Sequence, residues 1–588
     1  MLSVASLLLC YSLIGPGAFG QQKIYVSPKG NDLWSGTSVA TPLQTIARAL
    51  EISRKVHRIP GDSIEILLLD GIYPISQTIT LESRDSSLKI LPLGGAHVTL
   101  TGGKKITGVW KRSSTNRWDI KVKEPFTQLF SEDRRLPVAR YPNKDYWNPL
   151  EIDFPNRMLK FNHKIPKEFA EVKDAQLAVT GIWHWIRQSI FSFNPEDSTI
   201  ITKTSIGPER SSAKVSSIDR AYFENAYAFL DTAGEWYLNP HTMVLTLISK
   251  TDPNKSVFYY PIQHVLISVA GTKLQPLRHV TMKKLNFRYT AQDTSIFERK
   301  GYQAGYWGGD HVGEPTFAPS ASIMCRYVDD LTIDGCSFRH LGEGAIAFGK
   351  ACNHSNIARN FFEDVGSTPI QVARISNFIG SPHPLHHDYR DSSNAPQYDD
   401  ITENLIRSCA SLDRGSVGIC VGYANHILIS HNTIEDMPYT GISVGWRWGN
   451  ALVHTNTHHN IIEWNLVQRC MLYLSDGGGI YTCGQQPGSI IKNNWVREIG
   501  GGGLKKSAHG IYTDEGTGNF DIFNNYIQQV TGYKFFAHEN IWSTVSFYNN
   551  NGTTGKNNLI PLRTDVKIIN LSDQFPPSSQ LYGTSLVH

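Results

Sequence analysis

One short pattern of apolar and polar positions recurs through the second half of the chain. The segments "IARNFFEDV", "ITENLIRSC", "ISHNTIEDM", "IEWNLVQRC", "IKNNWVREI" and "IFNNYIQQV" all read Ile-x-x-Asn-x-apolar. They carry Asn360, Asn404, Asn432, Asn465, Asn494 and Asn525 at the common position, at intervals of 44, 28, 33, 29 and 31 residues. "IDGCSFRHL" fits the same frame with Cys336 in the asparagine slot. Between these copies come Gly-Ile-x-x strands containing Ile346, Ile419, Ile442, Ile480 and Ile511, and a looser copy at Ile370. Two short apolar strands per repeat of ~30 residues, with no 3.6-residue stripe, exclude a helical solenoid. Each unit is expected to form one coil of a right-handed parallel β-helix, stacked ~4.8 Å from its neighbours. At a bend repeated in every coil, asparagine tolerates left-handed backbone, and its amide can hydrogen-bond its copies above and below.

The rest of the chain is read around this solenoid. "KIYVSPKGNDLWSGTSVATPLQTIARALEIS" predicts a strand, a loop and a helix from about Pro42 that caps the first coil, whose strand edge would otherwise be open. "DSIEILLLDGIYPISQTITL" and "LKILPLGGAHVTLTGG" read as early coils. From about Val109 to Gly271 the repeat gives way to alternating strands and hairpin turns, which predict an inserted antiparallel β domain of sandwich type. The expected division is therefore a signal peptide over 1–20, cap and first coils over 21–108, the insert over 109–271, the main β-helix over 272–560 and a tail over 561–588. Long loops at 297–319 and 381–400 interrupt the coils, and loops of that length commonly serve a site.

Composition narrows the function. Apolar residues make up 40% and aromatics 11% of 588 residues, an ordinary globular balance. The net charge of +4, with no dense Lys/Arg run, gives no footprint for nucleic acid or an anionic membrane. "MLSVASLLLCYSLIGPGAFGQQ" has an apolar run, breakers at Gly15–Gly17 and small residues before Gly20, as a secretory signal has. A retained anchor, or a lipoprotein signal ending at Cys10, is the alternative. No later segment has the ~20 apolar residues of a membrane span. Cleavage near Gly20 would leave seven cysteines and no Cys-x-x-Cys, so thiols packed as small apolar groups are expected rather than a disulfide framework or a zinc site. A secreted or periplasmic monomer is the expectation.

Strand parity locates the candidate chemistry. If Ile511 and Thr513 point into the coil, Tyr512 and Asp514 point out, with Tyr481 beside Tyr512 one coil away. Asp514 then follows a column that is otherwise Gly422, Gly445 or Cys483, where missing side chains would leave a groove. Trp446, Arg447 and Trp448 in "GWRWG", together with Tyr302, Tyr306 and Trp307, would supply aromatic and polar contacts to a sugar, as would His509. Asp476, in "YLSDGGGIYT", offers a second acid. Two acids flanking such a groove suit glycosidic cleavage, one protonating the departing oxygen and the other attacking or activating water. In a straight register the two would stand roughly 20 Å apart at ~3.3 Å per residue, so they meet only if Gly477–Gly479 fold the segment back. Glu515 is the local substitute. His454, His458 and His459 invite a metal reading, but a surface coil turn is expected and no metal or other cofactor is assigned. His383, His386 and His387 are possible substrate contacts, and Trp183, His184 and Trp185 are expected in the core of the insert.

The cap together with "RLPVARYPN", "FLDTAGEWYLNP", "TGISVGWRWG", "SDGGGIYT" and "HGIYTDEG" resembles glycoside hydrolase family 141 over most of residues 23–550. That resemblance implies a right-handed β-helix with an inserted β domain, and α-L-fucosidase or xylanase activity on plant cell-wall glycans. It implies catalytic aspartates on "SDGGG" and "YTDEG", here Asp476 and Asp514. The chain departs from the family at "YTCGQQP" and in its His-rich 383–387 loop, so the substrate preference is left open. Two other functions compete with hydrolysis of a polysaccharide or oligosaccharide. One is a polysaccharide lyase with Arg447 as base, although no carboxylate cluster resembles a calcium cage. The other is a glycan-binding solenoid without catalysis.

Overall fold

The computed structural model describes residues 22–56, 62–132, 134–204, 218–293, 302–304, 306–307, 318–373, 392–446, 455–501, 508–538, 545–550, 556–560 and 566–571. Its body is a right-handed parallel β-helix. Among the described residues three parallel sheets of 14, 10 and 11 strands run the length of the solenoid, and the central coils give one strand to each. One coil contributes Ile461–Glu463, Leu466–Gln468 and Gly478–Thr482, and the next Gln485–Lys492, Trp495–Ile499 and His509–Thr513. Registration aligns Ile442 with Ile480, Ile480 with Ile511, and Ile511 with Phe535. These residues and their counterparts on the other two sheets, such as Ile462, Val467, Ile491 and Val496, form one continuous apolar core.

The asparagine slot lies at the bend between the first and second sheets. Each amide oxygen accepts the backbone N–H of the preceding asparagine, from Asn360 on Asn404 at 3.0 Å to Asn494 on Asn525 at 3.0 Å. Each amide nitrogen donates to the next oxygen, and Asn550 continues the ladder beyond Asn525. The expected left-handed backbone falls one residue earlier. Arg359, Glu403, His431, Trp464, Asn493 and Asn524 have φ between 52° and 57°. The asparagines therefore supply the hydrogen bonds and their neighbours make the turn. That is a strained arrangement for non-glycine residues, held in place by the buried amide ladder.

The cap is a helix at Ile46–Ser53, a turn later than Pro42, because Thr45 serves as N-cap and accepts from the Arg48 N–H. Ile46, Ala49 and Leu50 close the apolar end of the solenoid. The insert runs from the strand Gly103–Lys105 to Phe258–Pro261, and the strand at Ile267–Ala270 already belongs to the β-helix. Among the described residues its antiparallel strands form three sheets around two apolar cores, one built on Trp147, Phe161 and Phe223, the other on Trp110, Phe126 and Trp236. Arg135 ties the insert to the solenoid through the Asp364 carboxylate at 2.9 Å and the Leu341 carbonyl at 2.8 Å. All seven described cysteines are buried thiols, outside any disulfide among the described residues. Among the described residues no helix is long and apolar enough to cross a membrane.

Candidate active site

Tyr481 and Tyr512 stand on neighbouring rungs of the third sheet and meet edge to face, with ring centroids 5.2 Å apart. Parity puts them outside the coil, where with Cys483 and Phe536 they form a small separate cluster. They are nonetheless 6% and 2% exposed, so neither ring is open to a sugar. Their hydroxyls serve the acids instead. Tyr481 donates to Asp514 Oδ2, while the Tyr512 hydroxyl lies 3.1 Å from Asp514 Oδ1 and 3.2 Å from Asp476 Oδ1. Two oxygens sharing one hydroxyl can be no farther apart than those two lengths end to end, about 6.3 Å. Burial, and then the Asp514 charge, push both phenols well above their ordinary range, so they remain donors.

The fold-back that the sequence required is therefore present, made by Asp476 itself. Its φ of 58° turns the chain just ahead of the strand, and Tyr439 fixes the turn by donating to the Asp476 carbonyl at 2.8 Å. The glycines that follow answer to packing rather than to hinge motion. A Cβ on Gly477 would stand 2.9 Å from Thr440 Oγ1, and one on Gly479 would stand 2.5 Å from Val496. Asp514 is anchored by its N–H on the Thr482 carbonyl at 2.9 Å. It also receives a ring nitrogen of His538 at 3.1 Å, and its side chain is 13% exposed. His538 was not anticipated. Thr513 pairs with Ala537, so His538 occupies the Asp514 position one coil on, and extending the column by one rung would have found it. Glu515 anchors the corner through its carbonyl, which accepts from the Gly484 N–H at 3.2 Å.

Several sequence expectations are corrected here. Trp446 is 5% exposed and part of the solenoid core, so it offers no sugar platform. The presumed groove over Gly445 is filled, since a Cβ there would collide with the Gln486 amide and the Cys483 carbonyl. His509 is 4% exposed and stacks on Phe536 with centroids 4.1 Å apart, while its Nδ1 accepts the Tyr533 N–H at 3.0 Å, so it does not face substrate. Trp185 is not in the core of the insert; it lies at the interface, beneath the Arg414 guanidinium at 5.3 Å. Tyr302–Gln303 and Tyr306–Trp307 form a hairpin, with Tyr302 paired to Trp185, and the side chains of Tyr302, Tyr306 and Trp307 lie outside the described set. Arg447, Trp448, His454, His383, His386 and His387 lie outside the described residues.

His509 gives the site a pH signature. Burial pushes its imidazole down from 6.5 to about 4, against a smaller upward pull from Asp514. The unfolded chain takes up a proton near pH 6.5 that the folded site refuses until about pH 4. This contribution to stability is thus complete above the upper limit and lost as pH falls through the window. At ~1.36 kcal/mol per pKa unit it amounts to about 3 kcal/mol. Urea midpoints measured between pH 7 and pH 4 should fall in the native protein and fall less in His509→Gln. Equal slopes in the two proteins would remove His509 as the source.

One described group could hold a cation. His426, His458 and His459 place ring nitrogens within 4.8 Å of one another. They sit where the chain enters the first sheet, in a stack of rings that continues through Tyr398 to His354. None of them contributes to the Asp476–Tyr512–Asp514 group.

Residues 389–560 match the family model of a right-handed β-helix region. A solved structure described as "Glycoside hydrolase" is similar with a TM-score of 0.80 and 22% identity, covering 96% of this chain and 99% of its own. That likeness establishes the fold along nearly the whole chain. More distant are "The complex structure of XylC with xylose", at TM-score 0.46 and 11% identity over 95% of this chain and 87% of that one, and a GH136 lacto-N-biosidase from Eubacterium ramulus, at 0.35 and 11% over 93% and 68%. No curated protein sequence matches the chain.

Proposed function

We propose that the protein is a secreted or periplasmic glycoside hydrolase that cleaves a glycosidic bond in a plant-type polysaccharide, in the manner of family 141 fucosidases and xylanases. The observation that carries this reading is the single Tyr512 hydroxyl shared by Asp476 and Asp514. A glycoside hydrolase with the same fold over nearly the whole chain supports it.

Hydrolysis with inversion needs carboxyls ~6.5–9.5 Å apart to admit a water, whereas retention uses a pair ~5–5.5 Å apart. An upper limit of about 6.3 Å between the two Oδ1 atoms favours retention. Asp514, gripped by Tyr481, Tyr512 and His538, is the oriented nucleophile. Its oxygen attacks the anomeric carbon as the bond to the departing oxygen breaks, and Asp476 supplies the proton to that oxygen. Asp476 then takes a proton from water, which displaces Asp514 and regenerates both acids.

The decisive assay offers a panel of plant polysaccharides and aryl glycosides and reads both reducing ends and near-ultraviolet absorbance. New reducing ends without absorbance are expected. An absorbing unsaturated product would identify a lyase, and retention without turnover a binding protein. Tyr512 is a positioning residue, since it reaches the substrate only through the acids. Tyr512→Phe should lower kcat by ~10- to 100-fold, the scale of a small misplacement of reacting groups, with KM little changed. An unchanged kcat, or a loss confined to KM, would remove it from that role.

A further inference from the structure

The motif "RLPVARYPN" plays no part in the acid pair, yet two of its arginines line a partly open space where the insert meets the solenoid. This cavity has a volume of about 230 Å³ and is walled by Arg135, Arg140, Arg187 and Tyr222 from the insert and by Gln292 and Arg414 from the solenoid. At ~30 Å³ per water, that is room for roughly seven waters, or a single sugar ring rather than a chain.

Two of the four arginines are neutralised, Arg135 by Asp364 at 2.9 Å and Arg187 by Glu224 at 2.7 Å. Arg140 and Arg414 have no carboxylate at ion-pair distance among the described residues; they are held by aromatic faces, and Arg140 also donates to the Asp145 carbonyl at 3.2 Å. Arg140 lies 3.8 Å from the centre of the Tyr222 ring, and Arg414 lies 4.0 Å from that of Tyr473 and 3.3 Å from the Tyr146 hydroxyl. Arg140 Nε and the Gln128 amide nitrogen are buried without a hydrogen bond, as is Asp413 Oδ2. Asp413 is the neighbouring acid. It is fully buried and bonded to Gln292, and burial, opposed by the Arg187 charge, pushes it up to about 7. Two guanidiniums without a carboxylate partner among the described residues, both lining one space of sugar size, call for an anionic acceptor.

The cavity is connected to the acids through the chain that carries Asp476. Tyr473, which supports Arg414, precedes Asp476 by three residues, and the Ser475 N–H between them is held by the Ile182 carbonyl of the insert at 2.8 Å. We propose that this cavity binds the acidic group of a sugar, a uronate carboxylate or a sulfate ester, with Arg140 and Arg414 as its cations. That the ligand is part of a glycan rests on the hydrolase reading; that it is an anion does not.

The test is calorimetric binding to the full-length protein of glucuronate, galacturonate and galactose 6-sulfate against glucose and galactose. At least one acidic sugar should bind ~10-fold or more tightly than its neutral parent, as expected for a charge-assisted hydrogen bond. Which acid binds better assigns carboxylate or sulfate. Arg140→Gln and Arg414→Gln should each abolish the preference, Arg140→Lys should keep part of it, and thermal midpoints identify any variant that fails to fold. Acidic sugars binding no better than neutral ones to the native protein, or a preference that survives in both folded glutamine variants, would overturn the proposal. Asp514→Asn should keep the preference while losing turnover, so binding and hydrolysis are read separately, and an absence of hydrolysis in the native protein would count against the hydrolase reading alone.

Discussion

Asp514→Asn is expected to slow glycoside cleavage by at least ~10³-fold, with the thermal midpoint little changed. The amide keeps the shape of the carboxylate and one acceptor oxygen for Tyr481 or Tyr512, so the aromatic cluster stays in place. It is a poor nucleophile, and its NH2 turns a donor toward hydroxyls that must themselves donate. Asp476→Asn should cost a similar factor with ordinary substrates. It should cost far less with aryl glycosides carrying an acidic leaving group, which depart without help from a proton donor. That difference separates the two roles. If both variants slow equally on every substrate, the assignment of acid and nucleophile fails, and full activity in either variant excludes that residue from the mechanism.

Asn494→Ala is expected to be strongly destabilising although it lies away from the acids, costing roughly 3 kcal/mol or more. Asn494 is wholly buried. Its oxygen accepts both the backbone N–H and the side-chain amide of Asn465, and its own amide donates to Asn525 Oδ1, the Ile462 carbonyl and the Lys492 carbonyl. Alanine would strand the Asn465 N–H in a dry interior, where one unsatisfied donor costs ~1–3 kcal/mol, and would leave a void at the bend. Because a solenoid coil is stabilised mainly by its neighbours, the loss should spread to the coils on either side. Hydrogen exchange should show faster opening centred on residues 462–496, together with a lower denaturation midpoint. A midpoint shift equivalent to less than ~0.5 kcal/mol, the size of an ordinary surface change, would mean that the ladder does not hold the bend.

The solenoid was legible because its information is local and repeated. Ile-x-x-Asn marks an inward apolar residue and a buried amide within four positions, and six copies fix the direction in which coils stack. Parity correctly separated the inward Ile480 and Ile511 from the outward Tyr481 and Tyr512. It could not say what covers the outer face, because burial there depends on residues far along the chain. Tyr512 is closed in by Tyr481 and Phe536, and Trp446 falls into the core. For the same reason Tyr481 and Tyr512, which on the outer face of neighbouring coils are expected to contact the sugar, instead spend their hydroxyls on the acids. The meeting of Asp476 with Asp514 hinged on one left-handed residue, and the glycines that seemed to signal the bend are required by close packing beside it. The arginine-lined cavity was beyond reach, since it joins lining residues between Thr127 and Asn225 to others between Gln292 and Arg414 across an interface that no repeat announces.

Covalent trapping tests the central claim most directly. The wild-type protein would be incubated with 2-deoxy-2-fluoro glycosides of the sugar it releases, and the labelled peptide identified by mass spectrometry. A glycosyl ester on Asp514, with the first product released in the configuration of the substrate, is the predicted result. A label on Asp476 or Glu515, or a first product of inverted configuration, would contradict it.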